Sequence, residues 1–272
     1  KSPFLWLVAI VGSALSVGAF FFVRDWEITR QRIEFERQAN IRIHSIDRVL
    51  QHRKNILGAV RAFCRFNPSL DRQMFQTFDG QVLERESVIS ALAFIPAVAN
   101  RRQDFSTKAP RWHDQPGPSL VERTAEGGWI PAGKRAEYFP VWFVEPIHYA
   151  ELAPGWDVGS DATLKVTLER ARDSGKMTAA VSTARGGKDR QPSTFEAYLY
   201  TPIFQGTGDP ERIEDRRQRL IGFICGAFNM DKLVQHAVKE LPSPDLAFRI
   251  QDVSSSNPRL ISSTRSPSAL TF

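Results

Sequence analysis

The pattern of apolar and polar residues changes once along the chain, near residue 70. Up to residue 66 the apolar residues recur at helical spacing, after an initial apolar run at 4–23. Beyond residue 70, short runs rich in aromatic and β-branched residues alternate with amphipathic segments. This order predicts an α+β fold in which one long N-terminal helix precedes antiparallel sheets.

The run 4–23 contains no charged residue, and about 20 apolar residues suffice to cross the hydrocarbon core of a membrane. Trp6 and Trp26 lie near its two ends, where indole rings favour the membrane interface. A cleaved signal peptide has a shorter apolar core, of about 7–15 residues, and a small-residue cleavage site. We therefore predict one transmembrane helix at 4–23.

The stretch 28–66 predicts a single long helix with two lines of apolar residues. The first line is Ile28, Phe35, Val49, Ile56 and Phe63. The second line is Ile43, Leu50, Leu57 and Cys64, and Arg53 is one of the arginines that interrupt the stripe. A narrow seam suits a helix pair and a wide stripe suits packing on a domain. The stretch is thus interpreted as a signalling and dimerisation helix or as a plain core helix.

Seven runs beyond residue 70 predict strands, because aromatic and β-branched side chains pack well on a pleated surface. They are 88–98, 138–144, 177–183, 195–204, 220–228, 246–253 and 260–263. Helices are predicted at 70–85, between Asp161 and Gly175, and from Asn229 to Leu241. Because a charged linker, 206–219, precedes the last three strands, we predict two sheet subdomains, 70–205 and 219–265.

The stretch 138–182 reads as strand, loop, helix and strand. Ser160 and Asp161 offer oxygens to the free amides of the helix start, and Gly175 is placed for a left-handed C-cap. The helix repeats Leu164, Leu168 and Ala171 at helical spacing. The loop before it ends in Gly155-Trp156-Asp157.

Four motifs in this stretch occur in a characteristic order. They are Tyr138-Phe139-Pro140-Val141, Glu145-Pro146, Gly155-x-Asp157-x-x-Ser160 and Ala171-Arg172-x-x-Gly175-Lys176. Weaker matches are Phe94-Ile95-Pro96, Leu220-Ile221-Gly222-Phe223 and Asn229-Met230-Asp231-Lys232-Leu233. Together they resemble the CHASE domain, an extracytoplasmic sensor module of membrane receptors, over about 41–253.

The resemblance implies two tandem PAS-like subdomains on a long helix. The membrane-distal one, 70–205, would bind the ligand and the membrane-proximal one would be 219–265. In the plant cytokinin-receptor members, the residue that matches Asp157 binds the ligand's purine. This sequence has Ala180 where those members have a ligand-contacting Thr, and Pro154 before Gly155, so a cytokinin-like ligand is disfavoured.

Asp157 is the first candidate for ligand binding, since a carboxylate accepts hydrogen bonds from an NH-bearing or cationic ligand. The alternative is that it caps the next helix or closes the turn. The neighbouring strands supply the other candidates, each of which could equally be a core residue. These are Trp156, Val141, Phe143, Thr178, Ala180, Tyr198 and Tyr200. The two-residue period of a strand predicts Val141 and Phe143 on one face, and Tyr198 and Tyr200 on one shared face.

Composition excludes little. The net charge of +6 comes from 36 Lys and Arg against 30 Asp and Glu, and no basic block is longer than Arg216-Arg217-x-Arg219. Such scattered charge is typical of a solvated surface, so we expect no nucleic-acid partner. Cys64 and Cys225 both lie in apolar runs, which favours two unbridged thiols over a disulfide.

No catalytic motif is present in the sequence. The five histidines form no recognised catalytic spacing, and neither GxSxG nor HExxH occurs. A triad of distant residues stays open, because such triads assemble only in space. We expect a non-enzymatic chain without metal or cofactor.

Charge around the run 4–23 and the family resemblance give opposite orientations. Lys1 precedes the run, whereas Arg24, Arg30, Arg32 and Arg37 follow it, which would place the following residues in the cytoplasm. The resemblance places them outside. We follow the resemblance and predict a chain anchored in the cell inner membrane, with its bulk periplasmic or extracytoplasmic.

The function predicted is a small-molecule sensor domain that forms a homodimer. Ligand binding would pass through the long helix to a cytoplasmic output domain, a histidine kinase or a diguanylate cyclase. The alternative is a membrane-tethered enzyme or binding protein without a signalling output.

Overall fold

The computed structural model describes residues 3–67, 70–99, 119–124, 127–183, 195–239, 249–252 and 259–263. Its helices are α1 (Pro3–Phe66), α2 (Arg72–Arg85), α3 (Ala162–Ser174), α4 (Ile213–Arg219) and α5 (Met230–Lys239). The strands are β1 (Ile89–Pro96), β2 (Val98–Ala99), β3 (Val121–Arg123), β4 (Trp129–Pro131), β5 (Glu137–Tyr138), β6 (Phe143–Glu145), β7 (Thr178–Thr183), β8 (Phe195–Phe204), β9 (Leu220–Asn229), β10 (Arg249–Asp252) and β11 (Arg259–Ser263). The predicted α+β class and the long N-terminal helix are confirmed.

The chain divides into two compact units, Lys1–Arg48 and Val49–Phe272. The first unit consists of the N-terminal part of α1, and it includes the predicted span 4–23. Within the described part of the chain, we find no helix long and apolar enough to cross a membrane. The predicted transmembrane helix is therefore not supported, although several side chains of this run, at 4, 5, 7–9 and 14, lie outside the described residues.

The second unit is built on a five-stranded antiparallel sheet with the order β6-β1-β9-β8-β7. In one row of this sheet, Ala93 of β1 lies opposite Cys225 of β9, which lies opposite Tyr200 of β8. Residue Tyr200 in turn lies opposite Thr178 of the edge strand β7.

The position of β9 differs from the predicted domain boundary. The sequence analysis assigned this strand to a second subdomain beginning at 219, but β9 is the central strand of the sheet, between β1 and β8. The charged linker 206–219 misled the prediction, because it contains the short helix α4 inside a connection between two paired strands. The strands beyond it, β10 and β11, pair only with each other among the described residues. The PAS-like character of the two parts stays a prediction.

The predicted strand 138–144 is wrong as a single element. Residues 137–138 form β5 and pair with β2, whereas residues 143–145 form β6 and pair with β1. Between them, Pro140 makes an isolated bridge with Asp157. The chain therefore leaves one sheet and joins another within five residues, which an unbroken aromatic run does not reveal.

The two faces of the five-stranded sheet are covered by different layers. The face that bears Tyr198 and Tyr200, here called the tyrosine face, packs under α3 and the segment 139–158. Alternate residues of the same strands form the opposite face, here called the α1 face. There, Leu57 of α1 contacts the backbone of β9, and Phe75 of α2 stacks on Phe143 with ring centroids 5.5 Å apart.

The C-terminal part of α1 buries one helical stripe. Its buried residues are Arg53, Leu57, Val60 and Cys64. This confirms the end of the second predicted line, but Arg53 belongs to the buried side rather than interrupting it. Its guanidinium forms an ion pair with Glu86 at the end of α2, which offsets part of the free-energy cost of burying the charge.

The ends of α3 are confirmed in detail. Asp161 accepts hydrogen bonds from the amides of Thr163 and Leu164 at 2.9 and 3.0 Å. Gly175 adopts a left-handed conformation with φ of 70°, and its amide bonds to the carbonyl of Ala171. Ser160, the second predicted capping residue, instead donates its hydroxyl proton to the carbonyl of Asp157 at 2.6 Å.

Cys64 and Cys225 are both buried and unbridged, as predicted. Burial raises the pKa of each thiol above its ordinary value. Both therefore remain protonated at neutral pH.

Candidate functional site

The segment 155–157 is fixed by backbone hydrogen bonds on both sides. Val121 donates to the carbonyl of Gly155 at 2.9 Å and accepts from the amide of Asp157 at 2.8 Å. On the other side, the amide of Gly155 donates to the carbonyl of Val141 at 2.9 Å. The segment 155–157 is therefore an extended strip that is hydrogen-bonded to a neighbouring segment on each side, whereas the sequence predicted a loop.

The carboxylate of Asp157 is fully buried and bonded to the protein itself. Its Oδ1 accepts from the amides of Phe139 at 2.8 Å and Gly159 at 3.1 Å. Its Oδ2 accepts from the guanidinium of Arg135 at 3.1 Å. Burial raises the pKa of Asp157, while the Phe139 amide and the Arg135 charge act in the opposite direction. These contacts match the turn-closing role, and the ligand-binding role of this side chain stays a prediction.

Arg135 joins Asp157 to a second carboxylate. Its guanidinium donates to Glu122 at 2.5 Å, and this hydrogen bond lowers the pKa of Glu122. The hydroxyl of Tyr138 accepts from the Arg135 amide at 2.8 Å and donates to the carbonyl of Gly133 at 3.0 Å. The loop that carries Arg135 is thus tied down at both its backbone and its side chain.

Trp156 is buried against the tyrosine face. Its ring meets Trp129 edge-on, with centroids 6.2 Å apart. Its indole Nε1 is buried and has no hydrogen-bond partner among the described residues. Buried polar atoms are nearly always paired, so this N–H is a donor available to a bound molecule.

Tyr198 and Tyr200 share one face of β8, as predicted, and the register brings two further candidates beside them. Ala180 lies opposite Tyr198, and Thr178 lies opposite Tyr200. The Thr178 hydroxyl donates to the carbonyl of Thr167 in α3 at 3.0 Å. That side chain therefore points toward the helix that covers this face.

The hydroxyl of Tyr200 is the second unsatisfied polar atom of the tyrosine face. It is fully buried and has no hydrogen bond to a nitrogen or oxygen atom among the described residues. Its polar neighbour is the thiol of Cys225, a weak partner. Burial raises the pKa of Tyr200 well above its ordinary value, so this side chain is a neutral phenol.

Sequence reasoning missed a buried carboxylate at the start of β8. Glu196 accepts a hydrogen bond from the hydroxyl of Tyr149 and another, at 3.3 Å, from that of Tyr198. Burial raises the pKa of Tyr149 and of Tyr198, which keeps both phenols protonated as donors. The available signal was a lone charged residue inside the apolar run 195–204.

Two candidates predicted on one face are separated. Val141 is fully buried in the core of the tyrosine face. Phe143 lies on the α1 face, where its ring stacks on Phe75 and, at 6.2 Å, on Phe94. The prediction assumed one continuous strand through both residues; the break before β6 removes that alternation. Phe143 is therefore not part of this site.

The structure brings together most of the remaining candidates in one layer. The layer that covers the tyrosine face, together with that face, contains Val141, Trp156, Ala180, Tyr198 and Tyr200. A sheet face and a crossing segment thus enclose a mixed apolar and polar layer.

The model of the CHASE domain matches residues 68–261. The chain therefore belongs to the CHASE domain family, a family of sensor domains.

Two curated relatives carry similar regions. The chain is 22% identical over 245 residues to the hybrid signal transduction histidine kinase A of Dictyostelium discoideum, covering 87% of this chain and 11% of the kinase. It is 24% identical over 279 residues to the probable histidine kinase 4 of Oryza sativa subsp. japonica, covering 96% of this chain and 26% of that protein. The chain thus corresponds to a minor part of each of these longer proteins.

Proposed function

We propose that this chain is the sensory input domain of a receptor and that a small molecule binds between the tyrosine face and the segment 139–158. The observation that carries the proposal is the presence of two buried hydrogen-bonding atoms, Trp156 Nε1 and Tyr200 Oη, without a nitrogen or oxygen partner among the described residues. Leaving a buried donor unpaired costs about 1–3 kcal/mol. A ligand that pairs these atoms recovers that free energy on binding.

The tyrosine face has suitable walls for such a ligand. Tyr198 lies opposite Ala180 on one side and Ala227 on the other. Both neighbours are small, which favours contact between the Tyr198 ring and a flat apolar group of the proposed ligand. We therefore propose a neutral, partly aromatic ligand with at least one hydrogen-bond acceptor for the indole N–H.

Asp157 has an indirect role in this proposal. Its carboxylate is occupied by Phe139, Gly159 and Arg135, so it fixes the strip that presents Trp156. The ligand then contacts Trp156 rather than the acid.

The test is a thermal-shift screen of small molecules on the chain, followed by two variants. Any ligand that binds only the folded state raises its stability by about 2.7 kcal/mol at a hundredfold excess over Kd. We expect Tyr200→Phe and Trp156→Phe to lose most of this shift. The unliganded melting point should stay nearly constant for Tyr200→Phe and fall for Trp156→Phe, because that substitution removes part of a buried ring. Trp142→Phe is the matched control, because Trp142 packs in a separate small cluster with Leu120 and Tyr138. An equal loss in the control, or none in the two variants, contradicts the proposed site.

We further propose that the signal leaves through α1. Arg65 donates to the carbonyl of Gly206 at 2.9 Å, and Arg61 donates to the carbonyl of Pro202 at 2.7 Å. Both guanidinium groups also pair with Asp209. The end of β8 is thereby attached to the helix, so a ligand that shifts β8 also shifts α1, provided that it binds one arrangement better than the other.

The output side of the proposal rests on the two relatives, which are histidine kinases by name. We propose that the full protein is a homodimeric histidine kinase with this domain outside the cytoplasm, at a membrane.

Ile28 and Phe35, seven residues apart on α1, are exposed in the single chain and suit a helix pair. Light scattering reports the oligomeric state, and a phosphatase fusion after residue 263 reports the side of the membrane. A monomer contradicts the homodimer. A fusion active only inside the cell contradicts the placement of this domain outside the cytoplasm.

A further inference from the structure

Asp79 is a buried acid that the proposed ligand site does not use. It lies in the middle of α2, and its relative exposure is 0%. Neither carboxylate oxygen has a hydrogen-bond partner among the described residues. Buried carboxylates are normally paired with a cation or a set of donors, so this one requires a physical explanation.

Among the described residues, the groups that face Asp79 do not include a cation bonded to it. Helix α1 presents the thiol of Cys64, and β6 presents the carboxylate of Glu145. Arg72 and His148 are charge neighbours of Glu145 instead. Strand β1, which also packs on α2, carries no ionisable side chain at all.

In these surroundings the neutral acid is strongly favoured over the carboxylate. Burial raises the pKa of Asp79 to about 8, and the nearby negative charge of Glu145 adds to the effect. Desolvation penalises only the charged form, so a neutral Asp79 is tolerated in the layer and an ionised one is not.

The layer that contains Asp79 joins α1 and α2 to the sheet. Phe63 of α1 stacks on Phe78, the residue before Asp79, with centroids 4.2 Å apart. One turn earlier on α2, Phe75 stacks on Phe143 of β6. A charge at Asp79 therefore acts on the contact by which α1 packs on the domain.

We propose that Asp79 is a proton-dependent switch that controls how α1 residues 49–66 and α2 pack on the sheet. With the proton bound, the layer is closed and α1 is held. Loss of the proton places an unpaired charge in the layer and favours separation of the helices, where water hydrates the carboxylate. The sensor then responds to pH through one face of its sheet, independently of a ligand on the other face.

The direction of the effect follows from proton linkage. Once the helices separate, Asp79 takes its ordinary pKa of 3.8, whereas in the closed layer its pKa is about 8. Between these values the closed form holds one more proton than the open form. The opening equilibrium constant therefore rises about tenfold for each pH unit, or about 100-fold from pH 5 to pH 7, and levels off above pH 8.

The experiment is amide hydrogen exchange of the whole chain at several pH values, corrected for the intrinsic exchange rates. We expect protection of residues 49–66 and 72–85 to fall by about 100-fold between pH 5 and pH 7 in the wild type. Asp79→Asn, which resembles the neutral acid in shape, should remove this dependence. Asp71→Asn is the matched control on the same helix, because Asn caps a helix as well as Asp does and Asp71 is exposed. It should retain the wild-type dependence.

Two results overturn the proposal. The first is an Asp79→Asn profile that follows the wild type, and the second is a wild-type profile without pH dependence in 49–66. If Asp79→Asn does not fold, the carboxyl carbon of Asp79 is titrated directly by nuclear magnetic resonance in the wild type, with selective labelling of aspartate. A titration midpoint near 4 in the folded chain then also overturns the proposal.

Discussion

The layers that cover the two faces of the sheet each contain one fully buried aspartate. The two carboxyl groups differ in whether they have hydrogen-bond partners. Asp157, in the layer over the tyrosine face, is bonded to two backbone amides and to Arg135. Asp79, on the α1 face, has no partner among the described residues. Burial raises the pKa of both acids, but only Asp157 has donors that oppose this rise.

This difference shows that burial alone does not define the role of an acid. A carboxylate with donors on both oxygens is part of the structure, and its removal leaves those donors unpaired. A carboxylate without donors destabilises the fold whenever it ionises, so it is retained only if something other than stability selects it. The comparison predicts that substitutions of the two acids change the free energy of unfolding in opposite directions.

The largest effect is expected for Asp157→Ala. The substitution leaves the amides of Phe139 and Gly159 without their acceptor, and each unpaired buried donor costs about 1–3 kcal/mol. The guanidinium of Arg135 loses one of its two carboxylates but keeps Glu122. Urea unfolding measures the loss. As the control, Asp161→Ala removes only a helix cap and should cost about 1 kcal/mol. Equal losses in the two variants would show that Asp157 does not organise its segment.

Asp79→Asn should have the opposite sign. At pH 7 the wild type bears the cost of holding a proton that the unfolded chain has lost, which amounts to at most about 4 kcal/mol for a pKa of about 8. The variant should therefore be more stable than the wild type at pH 7, and the gain should vanish below pH 4. Urea unfolding at both pH values measures this gain. A variant less stable than the wild type at pH 7 would contradict a raised pKa of Asp79 in the folded chain.

Gly226→Ala tests the packing of the α1 face from the sheet side. An added Cβ would lie 2.8 Å from Leu57 Cδ2 and 2.8 Å from the ring of Phe228, so at least one of these side chains must shift. We expect a loss of about 1–3 kcal/mol in the free energy of unfolding. Gly80→Ala makes the same change in open space on α2 and should instead stabilise the chain by about 0.5–1 kcal/mol. A neutral Gly226→Ala would mean that this contact is loose.

The smallest effect on stability is expected for Tyr200→Phe. Its hydroxyl has no nitrogen or oxygen partner among the described residues and lies near the Cys225 thiol, so its removal should change the free energy of unfolding by less than about 1 kcal/mol. Tyr198→Phe removes a bonded hydroxyl and should cost about 1 kcal/mol or more. Thermal unfolding of both variants checks the order. A larger loss for Tyr200→Phe than for Tyr198→Phe would show that the Tyr200 hydroxyl is paired, which contradicts its proposed role in ligand binding.

Local features of the fold were predictable from sequence because neighbouring residues decide them. The cap of α3 at Asp161 and its end at Gly175 follow from backbone amides and conformations within a few residues. The strand 195–204 and the common face of Tyr198 and Tyr200 follow from the two-residue period of a strand. The helix start at Asn229 was predicted for the same reason, and its side chain accepts from the amide of Lys232.

Nonlocal features were not predictable in this way. A charged linker gave no sign that β9 returns to the centre of the first sheet. The partners of Asp157 come from residues 139, 159 and 135, and nothing in the local pattern selects them. Nothing in the local sequence marks Asp79 as buried, since an acid among polar residues of a helix is usually exposed.

The sequence by itself determined most of the longer helices and strands, the caps at Asp161, Gly175 and Asn229, the unbridged cysteines and the family, because each depends on residue types at short, fixed spacings. The tertiary structure alone decided which acids are buried and which of them find partners. Burial and pairing depend on which distant segments meet. In a low-dielectric layer, a carboxyl group with donors, as at Asp157, holds its segment in place, whereas one without donors, as at Asp79, favours binding a proton.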